Sequence, residues 1–171
     1  VTQIYETDNT NTYRCALGEI ARDKTLLCVV LNPSVADTKK GDRTYTFCRN
    51  EAKLSGYSSF IMMNLYPLRS TDRNLLPEEC DATHMDKNLQ VFQQMLRVYP
   101  NADIWAAWGN SIGCRTYFTG SLKQMYAASK ERNWMYYGEL TKCGNPHYPS
   151  RIEHHLEFHA FYISEYMKRY L

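Results

Sequence analysis

The residues best suited to chemistry stand just beyond four short apolar runs. Run 26–31 gives way to Asn32-Pro33-Ser34, and run 60–63 to Asn64. Run 104–108 leads into Gly109-Asn110, and run 134–137 is followed by a loop holding Gly144-Asn145-Pro146-His147. Asn offers a donor and an acceptor, imidazole offers either, and Gly lets backbone approach a ligand closely. Pro33 drives Asn32 toward extended geometry, which holds its amide at a strand tip. The same residue types cap turns and helices, so Asn32, Ser34 and Asp37 keep a purely local reading beside the functional one. Arg69 with Ser70, Thr71 and Arg73 makes a phosphate-friendly loop, because guanidinium forks match phosphate oxygens. Lys39, Lys40 and Arg43 could act alike on the neighbouring loop, with a solvated basic loop as the plain alternative.

The elements that must position these loops follow from periodicity. Four strands are expected near 26–31, 59–63, 103–108 and 134–138. The run 26–31 is continuously apolar, as suits a strand buried on both faces. Helices are expected over 46–54, 82–98, about 111–130 and 152–170. The second is the clearest, with Met85, Leu89, Phe92 and Leu96 on one stripe. Residues 13–20 form a further candidate strand, with a turn at 21–24 and a long loop at 65–81. Residues 1–12 are polar and are expected to be a flexible arm before a single domain over 13–171. Alternating strands and helices predict a three-layer α/β/α sandwich with a mainly parallel central sheet. In such a sheet ligands bind outside the carboxyl ends of the strands, so the four loops imply one shared site.

Composition narrows the partners. The net charge of +2 permits nucleic-acid contact without arguing for it. The chain has 14 Tyr, 6 Phe and 3 Trp; such rings stack on bases or pack cores with a polar tip at the rim. Six dispersed cysteines contain no C-x-x-C, which fits reduced thiols in a cytoplasmic protein. No apolar run reaches the roughly 18 residues of a membrane span. On a helix His155 and His159 would share a face, with His154 beside them, but no third ligand accompanies them. No metal or cofactor is expected.

The ordered set of loops resembles the uracil-DNA glycosylase superfamily. There the first core strand ends in G-Q-D-P-Y or G-x-N-P-G, and Val30-Leu31-Asn32-Pro33-Ser34 is similar to the second form. Ile61-Met62-Met63-Asn64 resembles the L-L-L-N strand whose Asn reads a flipped base. Ala107-Trp108-Gly109-Asn110 resembles a later L-W-G-N, and Asn145-Pro146-His147-Tyr148-Pro149-Ser150 resembles the late H-P-S-P loop. A closer resemblance is to the bacterial and phage family known as domain of unknown function 1643. It rests on the run 31–37, Asp42 with Thr44, Asn64-Leu65 with Arg69 and Thr71, Ala107-Trp108-Gly109, and Gly144-Asn145-Pro146-His147.

The glycosylase resemblance implies a base-recognition site, with Asn64, Ser34, Trp108, Gly109 and Asn110 around a base; the chemistry of the basic loops would put Arg69, Thr71 and Arg43 on phosphates. Cleaving an N-glycosidic bond would need Asn32 to position water and His147 to donate to the base oxygen. Asn32 carries no counter-charge, so Asp37 or Asp42 would have to supply the carboxylate. The expected function is recognition of a nucleobase, a nucleotide or DNA, with N-glycosidic hydrolysis open. The alternatives are an inactive nucleic-acid or nucleotide-binding module, and a phage–host conflict protein that docks a protein partner on the same loops.

Overall fold

The computed structural model describes residues 1–22 and 24–171. Asp23, within the expected 21–24 turn, lies outside the described residues. The chain builds one seven-stranded sheet from β1 (Thr2–Thr7), β2 (Arg14–Ile20), β3 (Thr25–Val30), β4 (Ser59–Asn64), β5 (Asp103–Ala106), β6 (Trp134–Tyr137) and β7 (Phe158–Ala160). Their order across the sheet is β1-β2-β4-β3-β5-β6-β7.

The four expected core strands are present and pair parallel with one another: β4 with β3, β3 with β5, and β5 with β6. The sheet is nonetheless mixed rather than mainly parallel, because β1–β2, β2–β4 and β6–β7 pair antiparallel. The correction comes from the margins. β1 and β2 are joined by a tight connection in which Asp8 accepts the N–H groups of Thr12 and Tyr13, and a short connection between neighbouring strands can only turn back on itself. The expected loose arm is therefore largely β1, whose polar residues suit an edge strand.

Helices cover both faces. Helix α1 (Arg43–Leu54) begins three residues before the expected start, because the Asp42 carboxylate caps it by accepting the Tyr45 N–H at 2.8 Å. Its Tyr45, Phe47, Cys48 and Ala52 pack with Leu26, Cys28 and Val30 of β3. Helix α2 (Ala82–Val98) has the expected bounds, with Asp81 capping it at the His84 N–H. Together with α3 (Thr116–Ala128) and α4 (Ile163–Tyr170) it covers the other face, against Leu27, Val29, Ile61 and Met63. The last expected helix, 152–170, is confined to its second half. His155 adopts φ +61°, outside helical space, and residues 158–160 pair with β6 instead. His155 and His159 therefore share no helix face.

This connectivity puts a topological switch point, the crevice region, between β3 and β5. From β3 the chain crosses on the α1 face to β4, then returns on the opposite face through α2 to β5, on the far side of β3. Loops leaving β3 and β5 diverge to opposite faces, and at such a switch point open α/β sheets bind ligands outside the carboxyl ends of the strands.

Candidate functional site

The loop after β3 is locked to the loop after β4. Asn32 Nδ2 donates to the carbonyls of Pro33, Leu68 and Ser70 at 3.1, 3.3 and 3.0 Å. The Ser70 N–H returns a bond to Pro33 O at 2.9 Å. Arg69 Nε donates to Ser34 O at 2.9 Å, and its Nη1 to the Tyr5 hydroxyl and Asn11 Oδ1 at 3.0 and 2.8 Å. Arg69 thus bridges β1, the turn behind it and the crevice loop, while Thr71 next to it is exposed. Asp37 closes a local turn: the Lys40 and Lys39 N–H groups bond its Oδ1 and hold its carboxyl below the usual range. Asp42 caps α1, and Arg43 stands exposed on the first turn.

Asn64 and Trp108 lie deeper than a surface site requires. Asn64 is fully buried; its Nδ2 donates to Arg14 O at 2.7 Å and its Oδ1 has no partner among the described residues. Trp108 is packed in the core against Trp134 and Phe161. Its Nε1 donates to the Tyr166 hydroxyl at 3.1 Å, and that hydroxyl donates to Asn145 Oδ1 at 2.6 Å. Asn145 Nδ2 in turn bonds Asn110 Oδ1, which also accepts from the Thr141 hydroxyl. This chain of amides and hydroxyls joins the loop after β5 to the loop after β6.

Gly109 is where those two loops touch. Its φ of +73° and ψ of −170° suit glycine alone, and a Cβ there would lie 2.9 Å from the Tyr148 Cβ. Its N–H donates to Pro146 O at 2.9 Å. The late-loop side chain that meets the crevice is thus Tyr148. His147 is half-buried and lines a different concavity with Gly138, Glu139, His155 and His159. Among the described residues no group of three metal-ligating side chains could hold an ion.

Cations gather at the crevice. The Arg73 guanidinium lies 5.7 Å from the Tyr148 ring centroid, and its Nη1 bonds the Ser111 hydroxyl. Arg14, within electrostatic range of Tyr148, is 1% exposed. It donates to Ala36 O at 2.5 Å and makes a long contact to Met62 Sδ, and its Nε has no partner among the described residues. Burial pushes its guanidinium down to about 10. The sequence did not single out Arg14, Ser111 or Glu51. An Arg heading the apolar stretch Cys15-Ala16-Leu17 is the one signal that pointed to a buried charge.

The family described as protein of unknown function (DUF1643) matches residues 14–150. No curated protein and no solved structure matches the chain. The matched stretch opens on the buried Arg14 at the head of β2 and closes just past Tyr148, so it takes in every loop of the crevice; the chain belongs to the DUF1643 family.

Proposed function

We propose that the protein recognises a phosphate-bearing nucleotide or single-stranded nucleic acid at the crevice between the ends of β3 and β5. The observation that carries this reading is the Arg73–Tyr148–Ser111 group, with the buried Arg14 within electrostatic range of Tyr148. A guanidinium and a hydroxyl suit phosphate oxygens, and an aromatic ring offers a face for a base. Arg14 adds positive potential from a region of low dielectric, where the field is weakly screened. From the order of the loop motifs in the sequence we infer a finer assignment, a fold of the uracil-DNA glycosylase kind, and a cytoplasmic setting would suit such a ligand.

Binding is favoured over N-glycosidic cleavage. The Asn32 amide nitrogen is spent on three carbonyls, Asn64 is buried, and His147 faces another concavity. Fluorescence anisotropy with labelled single-stranded oligonucleotides and nucleoside triphosphates, across a salt series, tests the reading. Arg73→Ala should weaken binding by about 1–3 kcal/mol, the worth of a charge-assisted contact, and should flatten the salt slope by about 1. Absence of binding by the wild-type protein rules the reading out. Abasic sites appearing in uracil-containing oligonucleotides would restore the glycosylase reading. A partner captured on these loops without salt dependence would point to protein docking.

A further inference from the structure

A second cleft lies between α1 and the 149–154 segment, with a volume of about 460 Å³. Phe47, Pro149 and Ile152 form its apolar wall, and Arg43, Asn50 and Ser150 its polar rim. His154 lines it too, its ring 4.7 Å from Phe47 and its side chain 61% exposed. Behind His154 sits Glu51, which is 2% exposed. The Glu51 carboxylate accepts from the Tyr137 hydroxyl at 2.5 Å, His154 Nδ1 at 2.9 Å and the His155 N–H at 3.2 Å. Burial works against its charge, but the three donors outweigh burial and hold the carboxyl below the ordinary glutamate value. An ionised carboxylate can only accept, so His154 Nδ1 carries a proton and Nε2 keeps its lone pair.

We propose that this cleft hydrolyses phosphate esters, with His154 as general base and Glu51 as the residue that orients it. A buried carboxylate on the far imidazole nitrogen fixes the tautomer and stabilises the imidazolium as it forms. Exposed Arg43 matches phosphoryl oxygens, and the Phe47–Ile152 wall takes the organic part of the ester. Nε2 takes a proton from water as the water oxygen bonds to phosphorus. The P–O bond to the organic group breaks, and its oxygen receives the proton back from the imidazolium. The products are phosphate and an alcohol, and no electrons change hands. The charged and titratable groups around His154 are Glu51 and Tyr137 behind it, Asp42 and Arg43 on the cleft wall, the neighbouring Glu153, and His155, whose ring is 6.0 Å away. The site is separate from the crevice and stands without the nucleotide reading.

The test uses the full chain with p-nitrophenyl phosphate and bis(p-nitrophenyl) phosphate. Turnover should rise with pH along a limb set by His154. His154→Asn should lower the rate by about 10²–10⁴-fold, the usual worth of a positioned base. The Asn amide nitrogen can take over the Nδ1 bond to Glu51 while lacking a counterpart of Nε2, so a nearly unchanged melting curve should accompany that loss. Glu51→Gln should lower the rate and move the limb to lower pH, because the imidazolium loses its carboxylate; a merely structural Glu51 would leave the limb in place. Failure of the wild-type protein to turn over either ester, or undiminished turnover in His154→Asn, overturns the proposal.

Discussion

Glu51 and Arg14 are both buried on the α1 side of the sheet, at 2% and 1% exposure, yet their surroundings differ. Three donors converge on the Glu51 carboxylate. Among the described residues Arg14 has one strong acceptor, the Ala36 carbonyl, and an unpaired Nε. Burying a charge costs several kcal/mol, and partners repay that cost only when most lone pairs or protons are satisfied. Glu51 is therefore a keystone: it ties α1 to β6 and to the 154–156 segment, and Tyr137 passes the tie on by accepting the Leu156 N–H at 2.8 Å. Arg14 should contribute little net stability, because its charge is incompletely paired. It fixes the Ala36 end of the crevice loop and keeps positive charge within electrostatic range of Tyr148.

The largest effect should come from Glu51→Ala. Losing three bonds to a buried carboxylate should cost about 3–5 kcal/mol in urea unfolding; a loss under about 1 kcal/mol would break the contrast. The same interaction should show in an acid titration. The folded-state pKa of Glu51 lies below the ordinary 4.5, so its contribution is complete above that value and disappears as pH falls through the folded one. Glu51→Gln should therefore lose less stability between pH 5 and pH 3 than the wild type, in melts across that range (roughly the window in which a lowered carboxylate titrates).

Arg69→Ala should come next. It removes the bridge among Ser34 O, Tyr5 and Asn11, for a loss of about 1–2 kcal/mol. Hydrogen exchange should quicken at the Ser70 N–H, which is bonded to Pro33 O beside that bridge. Protection that stays unchanged there would free Arg69 for a ligand role. The smallest change in stability is expected for Arg14→Met, within about 1 kcal/mol of the wild type and of either sign, because an apolar side chain of similar length replaces an incompletely paired charge. The same variant should still weaken phosphate-bearing ligands at the crevice. A loss above about 3 kcal/mol, the size expected for breaking a buried pair, would show that Arg14 is as well compensated as Glu51.

Several elements were legible because their information is local. The α2 stripe and its Asp81 cap lie within the helix they define. β3 is buried on both faces and carries an unbroken apolar run to match. β1 was not legible: its residues are polar, and only pairing with β2 makes it a strand. Residues 152–162 carry no signal for the left-handed His155 or for the three-residue β7, which depends on β6 for its hydrogen bonds. Among the candidate site residues, sequence placed the loops at the strand ends but not the direction of the side chains within them. In the late loop Tyr148, not its neighbour His147, packs against Gly109.

What the sequence determined by itself was the set of core strands, the long α2 helix and the family pattern over 14–150. Each rests on periodicity or spacing between near neighbours, and near neighbours constrain one another whatever the remainder of the chain does. The tertiary structure alone decided which polar groups are already satisfied. Asn32 meets Ser70, Arg69 meets Tyr5, and Glu51 meets His154 across separations of 38, 64 and 103 residues. A donor bound to a distant carbonyl has the same letter in the sequence as one free to meet a ligand. The difference lies in hydrogen bonds that form only once the sheet and its helices have brought those loops together.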